Sequence, residues 1–227
     1  MEMGDDGKMK IDTQNPDFDR GMELLFANRM PEALDHLGRS LQSDPTNPQA
    51  HTNRAEAFYH LEDYQHEIEE CDKAIELSKA GWVYRTRHSV KVDNSDPSIK
   101  KDLASAYAKR GIAKWELKQK PSAVEDFDEA VRLGETNNMT LYIYRGRYYL
   151  NEGSLDNALH DFNAAITADP KLAWPYGFRG LVELKRGKDA LAAADFYRTG
   201  QIDPAVREQC ERIAGGSERH ERTDAFT

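Results

Sequence analysis

The sequence predicts an all-α fold of about five stacked helical hairpins. Three observations predict it: a self-similarity with a period of 34 or 35 residues, a small and a large residue held in register within each period, and prolines closing several periods. The register is clearest in the second half. Gly111, Gly146 and Gly180 are each followed twelve residues later by Ala123, Ala158 and Ala192, and four residues beyond by Phe127, Phe162 and Phe196. A tyrosine precedes each glycine by four positions, at Tyr107, Tyr142 and Tyr176. Upstream, Gly21 leads to Ala33 and Leu37, and Ala55 leads to Glu67 and Cys71.

A helical hairpin accounts for this spacing. The small residue lets a second helix approach the first, the alanine is its counterpart on that helix, and the large residue fills the space between hairpins. Proline then ends the second helix, as at Pro45, Pro170 and Pro204, because its ring cannot continue the hydrogen-bond ladder. Helices of about 12 to 14 residues are marginal alone and depend on packing against neighbours.

This pattern resembles the tetratricopeptide repeat (TPR) family over roughly residues 14 to 206. The resemblance implies a right-handed superhelical solenoid of about five hairpins plus a short C-terminal capping helix. The frames are 14–47 and 48–81, then 104–137, 139–172 and 173–206. Residues 1–13 are expected to be a disordered acidic N-terminus, 207–214 the capping helix, and 215–227 a disordered tail. Two departures stand out. Glu67 occupies a position where alanine is expected, so either the second helix of that hairpin shifts or Glu67 finds a cation. The closing prolines are absent from the second and third hairpins.

Residues 82–103 are an insert and an extended helix start. The stretch from Trp82 to Pro97 is β-branched and aromatic without helical period, and is read as an extended loop. Asp96-Pro97 reads as the start of a lengthened helix. Trp82, Tyr84, Arg85, Arg87 and Lys91 form an aromatic and basic cluster on an acidic chain. Either they contact an acidic partner, or Trp82 and Tyr84 cover the interrupted stack; the packing reading is favoured.

In the TPR family the first helix of each hairpin lines an inner groove. Placing residues at about 100° intervals puts Met22, Glu56, Tyr59, Ile112, Trp115, Ile143, Arg147, Trp174 and Leu181 on that face. An apolar and aromatic stripe of this kind suits an extended or helical peptide, with Arg147 available to a carboxylate. Trp115, Leu150 and Leu184 lie nearest the core and read better as packing between hairpins. A TPR subclass grips a C-terminal carboxylate with a Lys/Asn/Arg clamp. Only Asn53 matches it here, because Phe18 and Met22 hold the first-hairpin places, so a chaperone clamp is not expected.

An arginine precedes each small residue: Arg20, Arg54, Arg110, Arg145 and Arg179. Sixteen residues later come His36, Glu70, Asp126, Asp161 and Asp195. Constant spacing favours an ion pair within each hairpin over a basic stripe. Taken as exposed, each pair is worth at most about 1 kcal/mol.

Composition narrows the function. With 31 Lys and Arg against 40 Asp and Glu, the formal charge of −9 disfavours a phosphate backbone as partner. The seven scattered histidines and two distant cysteines give no metal-ligand spacing, and no phosphate-cradling loop or nucleophile elbow occurs. Asn138-Met139-Thr140 matches a glycosylation sequon by chance. No secretion signal or membrane span is apparent, so a cytoplasmic protein is expected. The expectation is therefore a non-enzymatic adaptor or scaffold whose partner is another protein or peptide. It would need no cofactor, metal, nucleic acid or small-molecule substrate. The alternatives are a holding co-chaperone for a secreted or unstable client, or a structural subunit of a larger complex.

Overall fold

The computed structural model describes residues 15–85, 88–135 and 137–216, and the chain divides into two compact units at Glu135/Thr136. Unit 1 holds three hairpins. They are α1 (Pro16–Phe26) with α2 (Met30–Ser43), α3 (Pro48–His60) with α4 (Tyr64–Lys79), and α5 (Pro97–Glu116) with α6 (Lys120–Arg132). Between α4 and α5 lie β1 (Trp82–Arg85) and β2 (His88–Lys91). Unit 2 holds α7 (Met139–Asn151) with α8 (Leu155–Ala168), α9 (Ala173–Lys185) with α10 (Asp189–Ile202), and α11 (Pro204–Gly216). The expected acidic N-terminus lies outside the described residues. So does the expected tail, except Gly215 and Gly216, which belong to α11.

Local chemistry starts and stops these helices. Asn15, Asn47 and Asn138 accept a hydrogen bond from the backbone N–H three residues on, each at 3.0 Å. These caps satisfy one of the orphan donors at a helix start. The asparagine of the sequon is thus the cap of α7. Asn28, Glu62, Lys118, Gly153 and Gly187 all take positive φ at the turn between the two helices of a hairpin. In every case the next residue donates its N–H to the carbonyl five positions earlier, at 2.8 to 2.9 Å, from Arg29 to Leu24 through Lys188 to Glu183. This left-handed cap closes each first helix in the same way. Where a closing proline is missing, Gly81 (φ +87°) and Gly134 (φ +104°) end α4 and α6 instead.

The small-to-large register is a steric fit. Ala33, Leu37, Ala123, Phe127, Ala158, Phe162 and Ala192 have no exposed surface. A Cβ on Gly111 would stand 2.6 Å from two ring carbons of Phe127, and one on Gly21 would stand 2.6 Å from Leu37 Cγ. Only glycine fits opposite so large a side chain. Ala55 is tolerated because its counterpart is the smaller Cys71, and both are fully buried. Burying each phenylalanine contributes about 2 to 3 kcal/mol.

Four of the five arginines make the expected pair, and those pairs are buried or half-buried. Arg145 forks onto Asp161 at 2.7 and 2.8 Å, with the two side chains 8% and 1% exposed. Arg110–Asp126 and Arg179–Asp195 repeat the geometry, and Arg54 lies 3.2 Å from Glu70. Arg110 and Arg179 also reach the preceding hairpin, at Asp72 and Asn163. The surface limit on their worth therefore does not apply to Arg145–Asp161. The first pair does not form: Arg20 meets Glu23, and His36 meets Asp17 and Arg39.

The insert is an antiparallel hairpin rather than an irregular loop. Trp82 stands opposite Lys91, Val83 opposite Val90, Tyr84 opposite Ser89 and Arg85 opposite His88. Alternation buries Val83 completely. The hairpin is held to unit 1 at three points. Tyr84 packs on Phe18 with ring centroids 4.5 Å apart, Ser89 bonds Asp44 through both N–H and hydroxyl, and Arg85 bonds both Asp96 oxygens. Asp96 also caps the lengthened α5 by accepting from Ser98 N–H.

Candidate functional site

In unit 1 the face carried by α1, α3 and α5 contains Met22, Glu56 and Tyr59, all half-buried. Met22 Sδ accepts from the Asn53 amide. Glu56 is ion-paired to Lys109 of α5 and lies 3.3 Å from His60 Nε2. Tyr59 packs near His60 and Tyr64, and burial raises its hydroxyl pKa, with Glu116, Glu67 and Glu56 pushing the same way. Ile112 and Trp115 are only 8% and 6% exposed and belong to the packing of α5.

Beside this face lies Glu67 of α4, 1% exposed, with Oε2 lacking any hydrogen-bond partner. α4 runs on as a helix through Glu67, and Lys109, the cation that acts on Glu67, is itself engaged by Glu56. Burial pushes the Glu67 carboxyl up to about 8, Lys109 opposes the shift, and Glu56 and Glu116 reinforce it. Glu67 is therefore kept as the neutral acid at pH 7.

In unit 2 the corresponding face is aromatic. Trp174, half-buried, stacks on Phe178 with centroids 5.2 Å apart and planes 22° from parallel; Phe178 in turn stacks on Phe162 at 5.5 Å. The Arg147 guanidinium lies over the Phe178 ring at 5.5 Å and over Tyr144 at 5.9 Å. Ile143 is half-buried, whereas Leu181 and Leu150 are 5% and 7% exposed. Phe178 and Lys109 were missed in the sequence. Phe178 follows Trp174 by four residues, which places the two rings on one helix face. Lys109 could have been found only by placing α5 beside α3.

Of the insert residues, Tyr84 and Arg85 are engaged within unit 1, Trp82 is half-buried, Lys91 is exposed, and Arg87 lies outside the described residues.

Comparison with known proteins fits this geometry. A family model described as tetratricopeptide repeat matches residues 18–81 and 104–173. The chain belongs to the tetratricopeptide repeat family. Among solved structures, YrrB, described as a TPR protein with an unusual peptide-binding site, superposes with a TM-score of 0.61 at 19% identity, covering 89% of this chain and 94% of its own. MamA from Desulfovibrio magneticus RS-1 gives 0.61 at 18%, covering 90% and 98%. Such likenesses establish the TPR fold alone.

Relatives known from sequence include RNA polymerase II-associated protein 3 of Mus musculus, 25% identical across 99% of this chain and 30% of that protein. They also include Hsp70-Hsp90 organizing protein 3 of Arabidopsis thaliana, 22% identical across 78% of this chain and 40% of that protein. A DnaJ homolog subfamily C member 7 homolog of Dictyostelium discoideum is 24% identical across 95% and 33%. The chain spans between 18% and 40% of the length of the curated relatives it matches. Among the described residues, no helix is long and apolar enough to cross a membrane.

Proposed function

We propose that this TPR chain is a non-enzymatic interaction module that binds a segment of another polypeptide on the first-helix faces of its hairpins. The observation that carries the reading is the Trp174–Phe178–Arg147 arrangement. The half-buried Trp174 indole, backed by the buried Phe178 ring, offers a peptide side chain an apolar seat, and the half-buried Arg147 guanidinium over that ring offers a bidentate partner for a carboxylate. Unit 1 adds a second seat around Met22, Glu56 and Tyr59. Ile112, Trp115, Ile143 and Leu181 support these seats from beneath. The partner is a protein rather than a nucleic acid or a small molecule, in keeping with a formal charge of −9, and a cytoplasmic setting suits a chain of this kind. Trp82, Tyr84, Arg85 and Lys91 act chiefly through the docked hairpin.

Relatives named for organising Hsp70 and Hsp90 favour a second reading, a co-chaperone that holds an unstable client. Selection from a random-peptide library, followed by fluorescence anisotropy on the enriched sequences, separates the two. An adaptor gives a single saturable site whose affinity falls at least about tenfold (roughly 1.4 kcal/mol) in Trp174→Ala or Arg147→Ala, with thermal melting still cooperative. Broad binding of unfolded clients with suppression of their aggregation supports the holding reading. Unaltered affinity in both variants refutes the assignment of this face.

A further inference from the structure

The neutral, partnerless carboxyl in unit 1 has no packing reason to be there. The same position in four other hairpins is Ala33, Ala123, Ala158 or Ala192, each fully buried, so a methyl group suffices to close the pair of helices. Glu67 instead carries a buried Oε2 without a hydrogen bond, which costs about 1 to 3 kcal/mol. The groups that face it come from three helices. From α3 they are Glu56 and Tyr59; from α4, Tyr64 and Cys71; from α5, Lys109 and Glu116. Among the charges acting on Glu67, three carboxyls counting its own thus share one lysine, and that lysine is held by Glu56. Glu56 is also the more accessible partner, 38% exposed against 24% for Lys109.

We propose that unit 1 takes a cationic side chain, lysine or arginine, of the bound polypeptide at Glu56 in place of Lys109, and that the released Lys109 ammonium pairs with Glu67. This rests on the peptide-binding reading and specifies the guest of one of its seats. In the empty site Glu56 and Lys109 neutralise each other and Glu67 keeps its proton. In the filled site the guest neutralises Glu56, Lys109 neutralises Glu67, and the Glu67 proton goes to solvent. Charge balances, no bond other than O–H breaks, and the buried Oε2 gains the partner it lacks. A neutral or acidic side chain at the same place offers Glu56 nothing in exchange for Lys109, so the seat discriminates by charge.

The test uses the full chain and peptides enriched from the random library. Enriched sequences should carry Lys or Arg at one fixed position. Replacing that residue by Gln should weaken binding at least tenfold in wild type and much less in Glu56→Gln, with both proteins melting cooperatively by circular dichroism. Calorimetry at pH 7 in phosphate and in Tris then counts protons. Wild type should release about one proton per peptide bound, and Glu67→Gln should release about one fewer. Enriched peptides without a cation, or equal proton counts in the two proteins, overturn the inference while leaving peptide binding intact. Failure to enrich any peptide overturns both.

Discussion

Exchanging Glu67 for Gln should change how the stability of unit 1 depends on pH. The carboxyl ionises near 4.5 in an unconstrained chain and at about 8 in the fold. The folded state therefore binds this proton more tightly than the unfolded state. The stability this contributes is fully present below about pH 4.5, declines as pH rises, and is gone above about 8. At about 1.36 kcal/mol per pH unit, the decline between pH 5 and pH 8 amounts to about 3 to 4 kcal/mol, a large fraction of the stability of a small unit. Solvent screening offers little relief, because Glu67 is 1% exposed. Glutamine keeps the shape and cannot ionise, so its stability should lack this slope. Urea unfolding followed by circular dichroism at pH 5, 6.5 and 8 measures it. Burial also holds Asp102 up to about 6, and that contribution is common to both proteins, so the difference between them isolates Glu67. Parallel pH profiles for wild type and Glu67→Gln would show that Glu67 is ionised in the folded chain and refute the reasoning.

Other outcomes follow from the packing and the ion pairs. Gly111→Ala should cost about 1 to 3 kcal/mol in thermal melts, since its Cβ would meet Phe127 at 2.6 Å. Cys71→Phe should be better tolerated with Ala55→Gly than alone, with a coupling of about 1 kcal/mol or more in a double-mutant cycle. Arg145→Ala should cost about 3 to 5 kcal/mol by leaving Asp161 buried without its fork, and adding Asp161→Ala should recover part of that loss in the same melts. Lys118→Gly should stabilise by about 0.5 kcal/mol, because φ is +64° there and the equivalent turns of unit 2 already use Gly153 and Gly187.

The hairpins were legible because their determinants are local and repeat. A glycine facing a phenylalanine sixteen residues on fixes the approach of two helices, and an arginine and an aspartate at the same separation fix their register. The depth of those ion pairs was not legible, because spacing along two helices does not reveal what the neighbouring hairpin covers. The same limit applies to the candidate face. A 100° projection chose Met22, Glu56, Arg147 and Trp174, which retain accessible surface, but also Ile112, Trp115 and Leu181, which packing withdraws. The insert has two four-residue strands, too short to show alternation against the aromatic and basic background, so its pairing appears only in three dimensions. Glu67 stood out as an exception to its repeat. What keeps it neutral is burial, reinforced by Glu56 and by Glu116 against the opposing charge of Lys109, and both Glu116 and Lys109 lie more than 40 residues away in sequence and are brought close by α5.

Hydrogen exchange of the full chain with and without a saturating library-selected peptide tests the central claim most directly. Peptide held on the first-helix faces should slow exchange in α3 and α5, or in α7 and α9, and leave the solvent-facing amides of α4, α6, α8 and α10 unaltered. Protection confined to those second helices, or to the hairpin of β1 and β2, would contradict it.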